Sequence, residues 1–232
     1  MYALSPAEWT AIHLSLRVAG WATLASLPIA VLLAYLLARG RFPGKTLLDA
    51  VIHLPLVLPP VVTGYLLLIT FGRRAPVGAF LAEHFGIVFS FRWTGAALAC
   101  AIMGLPLSVR AIRLAFEAID RRLEDAAGTL GAGPVVTFFA VTLPLALPGV
   151  IVGAILCFAR ALGEFGATIT FVSNIPGETQ TISAAIYTAT QVPNGDAEAM
   201  RLTVIAIMIA VAALVAAELV QRGAARRVSQ HA

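Results

Sequence analysis

Three stretches of this chain carry no Asp, Glu, Lys or Arg over lengths that a soluble core could not hide. They are Val18–Ala38, Ala50–Gly72 and Val135–Ala159, of 21, 23 and 25 residues. About 20 apolar residues, each rising ~1.5 Å, cross a hydrocarbon layer roughly 30 Å thick. Of the 232 residues, 59% are hydrophobic and 12% charged, about half the charged fraction of a soluble domain. The chain therefore reads as an all-α polytopic membrane protein and not as a water-soluble enzyme.

The apolar pattern predicts five spans, near residues 10–38, 50–71, 93–115, 137–160 and 199–220. The third has only 17 charge-free residues, Trp93–Val109, and Arg110 and Arg113 can snorkel from its last turns to the headgroups. The segments following spans 1, 3 and 5 hold ten basic residues: Arg39, Arg41, Lys45, Arg110, Arg113, Arg121, Arg122, Arg222, Arg226 and Arg227. Those on the other side hold four: Arg73, Arg74, Arg92 and Arg201. This asymmetry predicts the first group in the cytoplasm, an external N-terminus and a cytoplasmic C-terminus. It also accounts for the net charge of +4 without a nucleic-acid partner. Residues 1–17 lack the basic start and cleavage site of a signal peptide, so none is expected. Two regions fit no full span. Residues 72–92 form an external loop with an amphipathic middle. Residues 163–198, turning at Ile175-Pro176-Gly177-Glu178, are expected to dip into the outer leaflet as two short segments whose backbone neighbouring helices cover.

Catalytic and metal-binding patterns are missing from the sequence. His13, His53, His84 and His231 are scattered, with no H-E-x-x-H, and Cys100 and Cys157 both fall inside predicted spans. The stretch Gly40-Arg-Phe-Pro-Gly44-Lys45-Thr46 imitates a phosphate-binding loop. It has three residues between the glycines instead of four and no preceding strand, so it reads as a tight basic turn. An intramembrane enzyme would need a catalytic pair within the spans, and none is visible. The chain is not expected to be an enzyme.

Residues 117–134, EAIDRRLEDAAGTLGAGP, lie between spans 3 and 4. At 100° per residue Ile119, Leu123, Ala126, Ala127 and Leu130 share one sector, opposite Asp120, Glu124, Asp125 and Gly128. The Ala126-Ala127 pair keeps that stripe shallow enough for another surface to approach closely. Gly131 and Gly133 can supply a positive φ to end the helix, and Pro134 suits the start of the next. Asp125-Ala126-Ala127, three residues, Gly131, nine residues, then Val141-Thr142-Leu143-Pro144 resembles the signature E-A-A-x3-G-x9-I-x-L-P of ABC importer permeases. Asp125 stands where Glu is usual, with Glu124 beside it, and Val141 replaces Ile. In that family the segment is the coupling helix, which docks into a groove of a separate ATPase subunit. The resemblance thus implies coupling roles for Glu124, Asp125, Ala126, Ala127, Leu130, Gly131, Leu143 and Pro144.

Further stretches are similar to the oxyanion branch of these permeases: Arg41-Phe-Pro-Gly-Lys45, His53-Leu-Pro-Leu-Val-Leu-Pro-Pro60 and Ala161-Leu-Gly-Glu-Phe-Gly-Ala-Thr168. Phe171-Val-Ser-Asn-Ile-Pro-Gly-Glu178 resembles molybdate permeases in particular. Together they cover about residues 8–222. The resemblance implies a single type I ABC importer (MetI-like) transmembrane domain in the bacterial inner membrane, forming a homodimer around a molybdate path. It also implies an ABC ATPase dimer that binds ATP and Mg, since this chain has no cofactor of its own. The third implied partner is an external molybdate-binding protein, periplasmic or lipid-anchored. A sulfate, thiosulfate or tungstate permease is the alternative within the family. A membrane assembly or scaffold protein is the remote one, and it would not require the coupling spacing.

Several residues carry two readings. Arg160 and Glu164 stand four apart at the end of span 4, on one face if the helix continues, either as a gate in the path or as a structural ion pair. Pro55, Pro59 and Pro60 with Thr63 either line the path or make a packing kink. Gly149, Gly153 and Cys157 form a small-residue row that favours helix packing over substrate contact. Thr168 and Asn174, with Thr170 and Ser173, offer neutral donors for a dianion, although hydroxyls in membrane helices usually bond their own backbone.

Overall fold

The computed structural model describes residues 4–229. Gln230 and His231 lie outside them, and the side chains of Arg226 and Arg227 are likewise outside the description. The first helix, α1 (Pro6–Arg39), opens with a capping box in which the Ser5 hydroxyl accepts from Glu8 N–H and the Glu8 carboxylate accepts from Ser5 N–H. After a turn at Gly40–Gly44 come α2 (Lys45–Val57) and α3 (Pro60–Phe71), then α4 (Pro76–Phe85) and α5 (Trp93–Glu117). A short α6 (Arg121–Thr129) leads to α7 (Pro134–Thr137), a π-helical turn (Phe138–Thr142) and α8 (Leu143–Leu162). The chain closes with α9 (Gly166–Val172), α10 (Ile182–Thr190) and α11 (Asp196–Ser229). Among the described residues there is no strand.

Four of the five predicted spans are long, apolar helical stretches: α1, α5, the run Pro134–Leu162 and α11. The second is not a straight span. It is broken between α2 and α3 by a bend of 112°. Leu58 and Pro59 are extended (ψ 142° and 133°), because a residue before proline avoids the helical region and Pro59 and Pro60 have no N–H to continue the ladder. At 13 and 12 residues, each half rises only about 20 Å.

At the centre, α1, α5 and α8 pack on one another. Arg17 lies against Trp93 at one end, and Arg39 donates to the Ile119 carbonyl at the other, so α1 and α5 run parallel. Ser108 donates to the Gly153 carbonyl and Cys100 to that of Ala161, which sets α8 antiparallel to them. Close approach depends on small residues: Ala19, Ala22, Ala96, Ala99, Cys100, Ala161 and Ala167 are buried together. The Gly149–Gly153–Cys157 row serves this packing. A Cβ on Gly153 would sit 2.8 Å from Ile112, one on Gly149 would strike Ala115, and Cys157 fills the space left by Gly104. Nearer Arg39 the core widens to Leu37, Ile112 and Phe116, with Tyr35 edge-on to Phe116 and Phe138 at 5.5 and 4.9 Å.

Arg17 falls inside the first predicted span, a charge that the apolar pattern leaves unexplained. Its guanidinium stacks 3.8 Å from the Trp93 ring centroid, an arrangement suited to the membrane interface. The 22 residues from Arg17 to Arg39 rise about 33 Å, one hydrocarbon thickness. The first turns of α1 therefore project past it, where buried Glu8 takes a 2.8 Å bond from Arg201 and ties α1 to α11. The short α9 and α10 are covered by neighbours as expected. Ala167, Thr168, Phe171 and Val172 of α9 are buried, as are Ile182, Ala184, Ala185 and Ala189 of α10. Between them Pro176 and Gly177 (φ 81°) form a turn closed by Glu178 N–H to the Ile175 carbonyl.

Candidate functional site

The segment after α5 folds as a discrete strut. Asp120 caps α6 by accepting from Arg122 N–H. The far end is a Schellman closure: Ala132 N–H bonds the Ala127 carbonyl, Gly131 N–H bonds that of Gly128, and Gly131 is left-handed at φ 86°. Gly133 is different from the expectation. It is extended (φ −69°, ψ 165°) and serves as the cap before Pro134. No side chain of α6 is buried. Leu123, Asp125, Ala126 and Leu130 are exposed, Leu130 at 88%. Ala127 is half-buried, so it belongs to the face turned toward the helical body and not to the open stripe.

Glu124 departs further from the sequence-based grouping. Its carboxylate is turned inward, accepting from Arg39 at 3.1 Å and from the Thr142 hydroxyl at 2.9 Å. The neighbouring Asp125 points out, because adjacent helical residues differ by 100°. Leu143 and Pro144 begin α8 directly after the π-helical turn.

The second constellation is the seam between α3 and α9. Gly64 lets the two backbones meet: a Cβ there would lie 2.5 Å from the Ala167 carbonyl oxygen and 2.8 Å from Thr170. Gly166 does the same against Pro60. Thr63, beside Gly64 on α3, is buried with its hydroxyl unpartnered. Arg160 and Glu164 meet nearby at 2.7 Å, but not on a continuous helix. α8 ends at Leu162, and Gly163 carries the chain over to Glu164, which is 1% exposed and also accepts from Ala167 N–H at 2.8 Å. The Glu164 carboxylate thus caps α9 and holds Arg160 at once. Thr168 and Thr170 bond the backbone carbonyls of Phe165 and Gly166. Asn174 lies beyond the seam, donating to the Thr188 hydroxyl of α10.

Of the residues singled out in the sequence, the structure places Pro60 in the seam and Pro59 at the bend beside it. Arg160 and Glu164 pair at the start of α9, Thr168 is buried within α9, and Asn174 lies apart. Sequence reasoning passed over Arg39 and Thr142. Arg39 is 85 positions from Glu124 and reads locally as one more basic residue at a span end. Among the described residues no group of three or more His, Cys, Asp or Glu side chains is placed to hold a metal ion.

A multi-helix membrane body with an exposed, capped short helix at one end is the architecture of a transport permease. Residues 26–230 match the family described as the binding-protein-dependent transport system inner membrane component, and the chain belongs to that family. It is a multi-pass inner-membrane protein of the ABC importer permease fold. It is 58% identical over 219 residues to the molybdenum transport system permease protein ModB of Escherichia coli strain K12, covering 94% of this chain and 96% of that protein. Identity to the sulfate transport system permease protein CysT of Salmonella typhimurium is 41% over 161 residues, 69% of this chain and 58% of that one. The fold matches a bacterial ABC transporter that imports the acidic polysaccharide alginate, with TM-score 0.69 at 19% identity, covering 96% of this chain and 80% of that chain.

Proposed function

We propose that this chain is the permease subunit of an ABC importer for molybdate, and that two copies form the membrane path. A separate ATPase dimer, binding ATP and Mg, docks on α6, and an external binding protein delivers the anion to the other end. The observation that carries the reading is α6 itself. Leu123, Asp125, Ala126 and Leu130 stand exposed on a helix closed at both ends, as a strut awaiting a groove requires. Molybdate is favoured over sulfate because the 58% identity extends over nearly the whole chain, where the sulfate relative aligns over a shorter part at 41%. The pairing of two copies is supported by the open apolar flank of α2 and α3, where Leu47, Val51, Val57, Val61, Tyr65 and Ile69 are exposed. In this reading Pro59 and Pro60, exposed at the bend, line the path, and Thr63 is buried one turn behind them. Arg160 and Glu164 hold the start of α9, Thr168 donates to the Phe165 carbonyl, and Asn174 donates to the Thr188 hydroxyl while its buried carbonyl oxygen has no partner.

The test is uptake by the permease reconstituted with its ATPase and binding protein. ATP-dependent molybdate accumulation that excess sulfate barely inhibits is expected. Accumulation driven equally by sulfate, or by tungstate in preference to molybdate, would reassign the substrate. An assembled complex that moves no oxyanion would favour the scaffold reading.

Orientation has its own test. Cys100 and Cys157 are buried, so thiol reagents should report introduced cysteines against a low background. An impermeant reagent applied to intact cells should label Gly177→Cys from outside. Asp125→Cys should react only after permeabilisation. The opposite pattern would invert the proposed topology.

A further inference from the structure

The geometry points to Arg39, Glu124 and Thr142 as a latch that ties the α6 strut to α1 and to the start of α8, so that a push on α6 moves both long helices together. Its mechanical meaning rests on the reading of α6 as the ATPase contact. The need for such a latch follows from α6 itself. A helix of 9 residues is unstable alone, and this one buries no side chain that would fasten it by packing. Its two connections, residues 118–120 and 130–133, are non-helical and would absorb a push as bending. Among the described residues Glu124 is the one α6 side chain that bonds another element of the fold.

That bonding is well placed to transmit force. One carboxylate oxygen, Oε1, accepts from Arg39 at the last turn of α1 and from Thr142 at the last position of the π-helical turn. The same Arg39 nitrogen also reaches the Ile119 carbonyl at 3.1 Å, just before α6. The side chains of Arg39 and Glu124 are 12% and 18% exposed, and Thr142 is 1% exposed. Charge-assisted bonds so shielded are stronger than neutral, solvated ones. Tyr35 stands one turn before Arg39 on α1 and packs against Phe116 and Phe138, so the latch sits over a packed aromatic floor. π-Helical turns occur often at functional positions, and Thr142 ends this one where α8 begins. Glu124 and Asp125 thereby divide the work: the first holds the strut to its own chain, and the second is free for the partner.

The experiment compares the unmodified permease–ATPase complex in lipid with Glu124→Gln, Arg39→Gln, their double variant and Thr142→Val. Two quantities are read: molybdate moved per ATP hydrolysed, and the distribution of distances between spin labels at Arg41→Cys and Arg122→Cys, both exposed positions. Each charge variant should keep its ATPase on purification and broaden the distance distribution. Transport per ATP should fall by about tenfold, the scale of a lost hydrogen bond to a charged group. The double variant should be no worse than either single one. Thr142→Val should move both readouts the same way by less. An unchanged distance distribution in both charge variants, or strictly additive losses, would overturn the latch. Loss of ATPase binding in Glu124→Gln alone would overturn it too, by making Glu124 a docking contact. Failure of the unmodified complex to move molybdate would count against the permease reading, whereas the label distances would still decide the latch.

Discussion

Replacing Arg160 with Gln is expected to destabilise the permease by about 3 kcal/mol, the low end of the cost of stranding a buried charge. The low end applies because Arg160 is 27% exposed while the Glu164 side chain it neutralises is 1% exposed. The carboxylate left behind would also be the cap of α9, so the α3–α9 seam should loosen with it. Glu164→Gln should be milder. Its amide oxygen can still accept from Ala167 N–H, and Arg160 retains some access to water. Removing both charges should be milder than Arg160→Gln alone. Thermal unfolding in detergent and abundance in the membrane measure this series, with molybdate uptake alongside. An Arg160→Gln variant that is abundant and heat-stable but inactive would instead assign Arg160 to the anion path. One that is stable and active would leave the charge with neither role.

Gly131→Glu is expected to abolish most transport while leaving the permease folded. Two observations separate those effects. A Cβ at Gly131 would meet no atom of this chain within 4 Å, so the side chain itself strains nothing internal. The left-handed φ of 86° costs a non-glycine residue roughly 1–2 kcal/mol, which a protein of this size tolerates. Gly131→Ala should therefore lose little. The glutamate, by contrast, would project from the exposed end of α6 into the surface proposed for the ATPase. Transport should fall on the order of tenfold or more, as for a central interface residue, with weakened co-purification of the ATPase. Normal ATPase binding together with unchanged transport would remove α6 from the coupling role.

The difference between these substitutions mirrors what was legible in the sequence. Gly131 could be identified as a helix terminator from its place after an amphipathic run, and Pro134 as the next helix start, because capping is decided by residues within one turn. The same local logic located four of the five spans, since a run without charge needs no tertiary partner to be recognised. It also predicted a disturbance around Pro55, Pro59 and Pro60, which falls at Pro59 while Pro55 stays inside α2. It could not set that disturbance at 112°. Prolines remove hydrogen bonds, but the direction in which the chain leaves is chosen by what it packs against, here Gly64 on Ala167 and Gly166 on Pro60.

Pairing was where local reasoning stopped. Arg160 and Glu164 would share one face only if the helix continued, and they meet instead across the Gly163 break. Glu124 carried the same local signal as Asp125, and only Arg39, 85 positions away, and Thr142 turned it inward. Glu8 and Arg201 are 193 positions apart, and each by itself reads as an ordinary charge near a span end. Hydrophobic periodicity and capping act between residues a turn apart, so the sequence alone determined where the helices lie and where they stop. A buried charge takes the partner that folding brings within about 3 Å, so only the tertiary structure decided which charges hold those helices to one another.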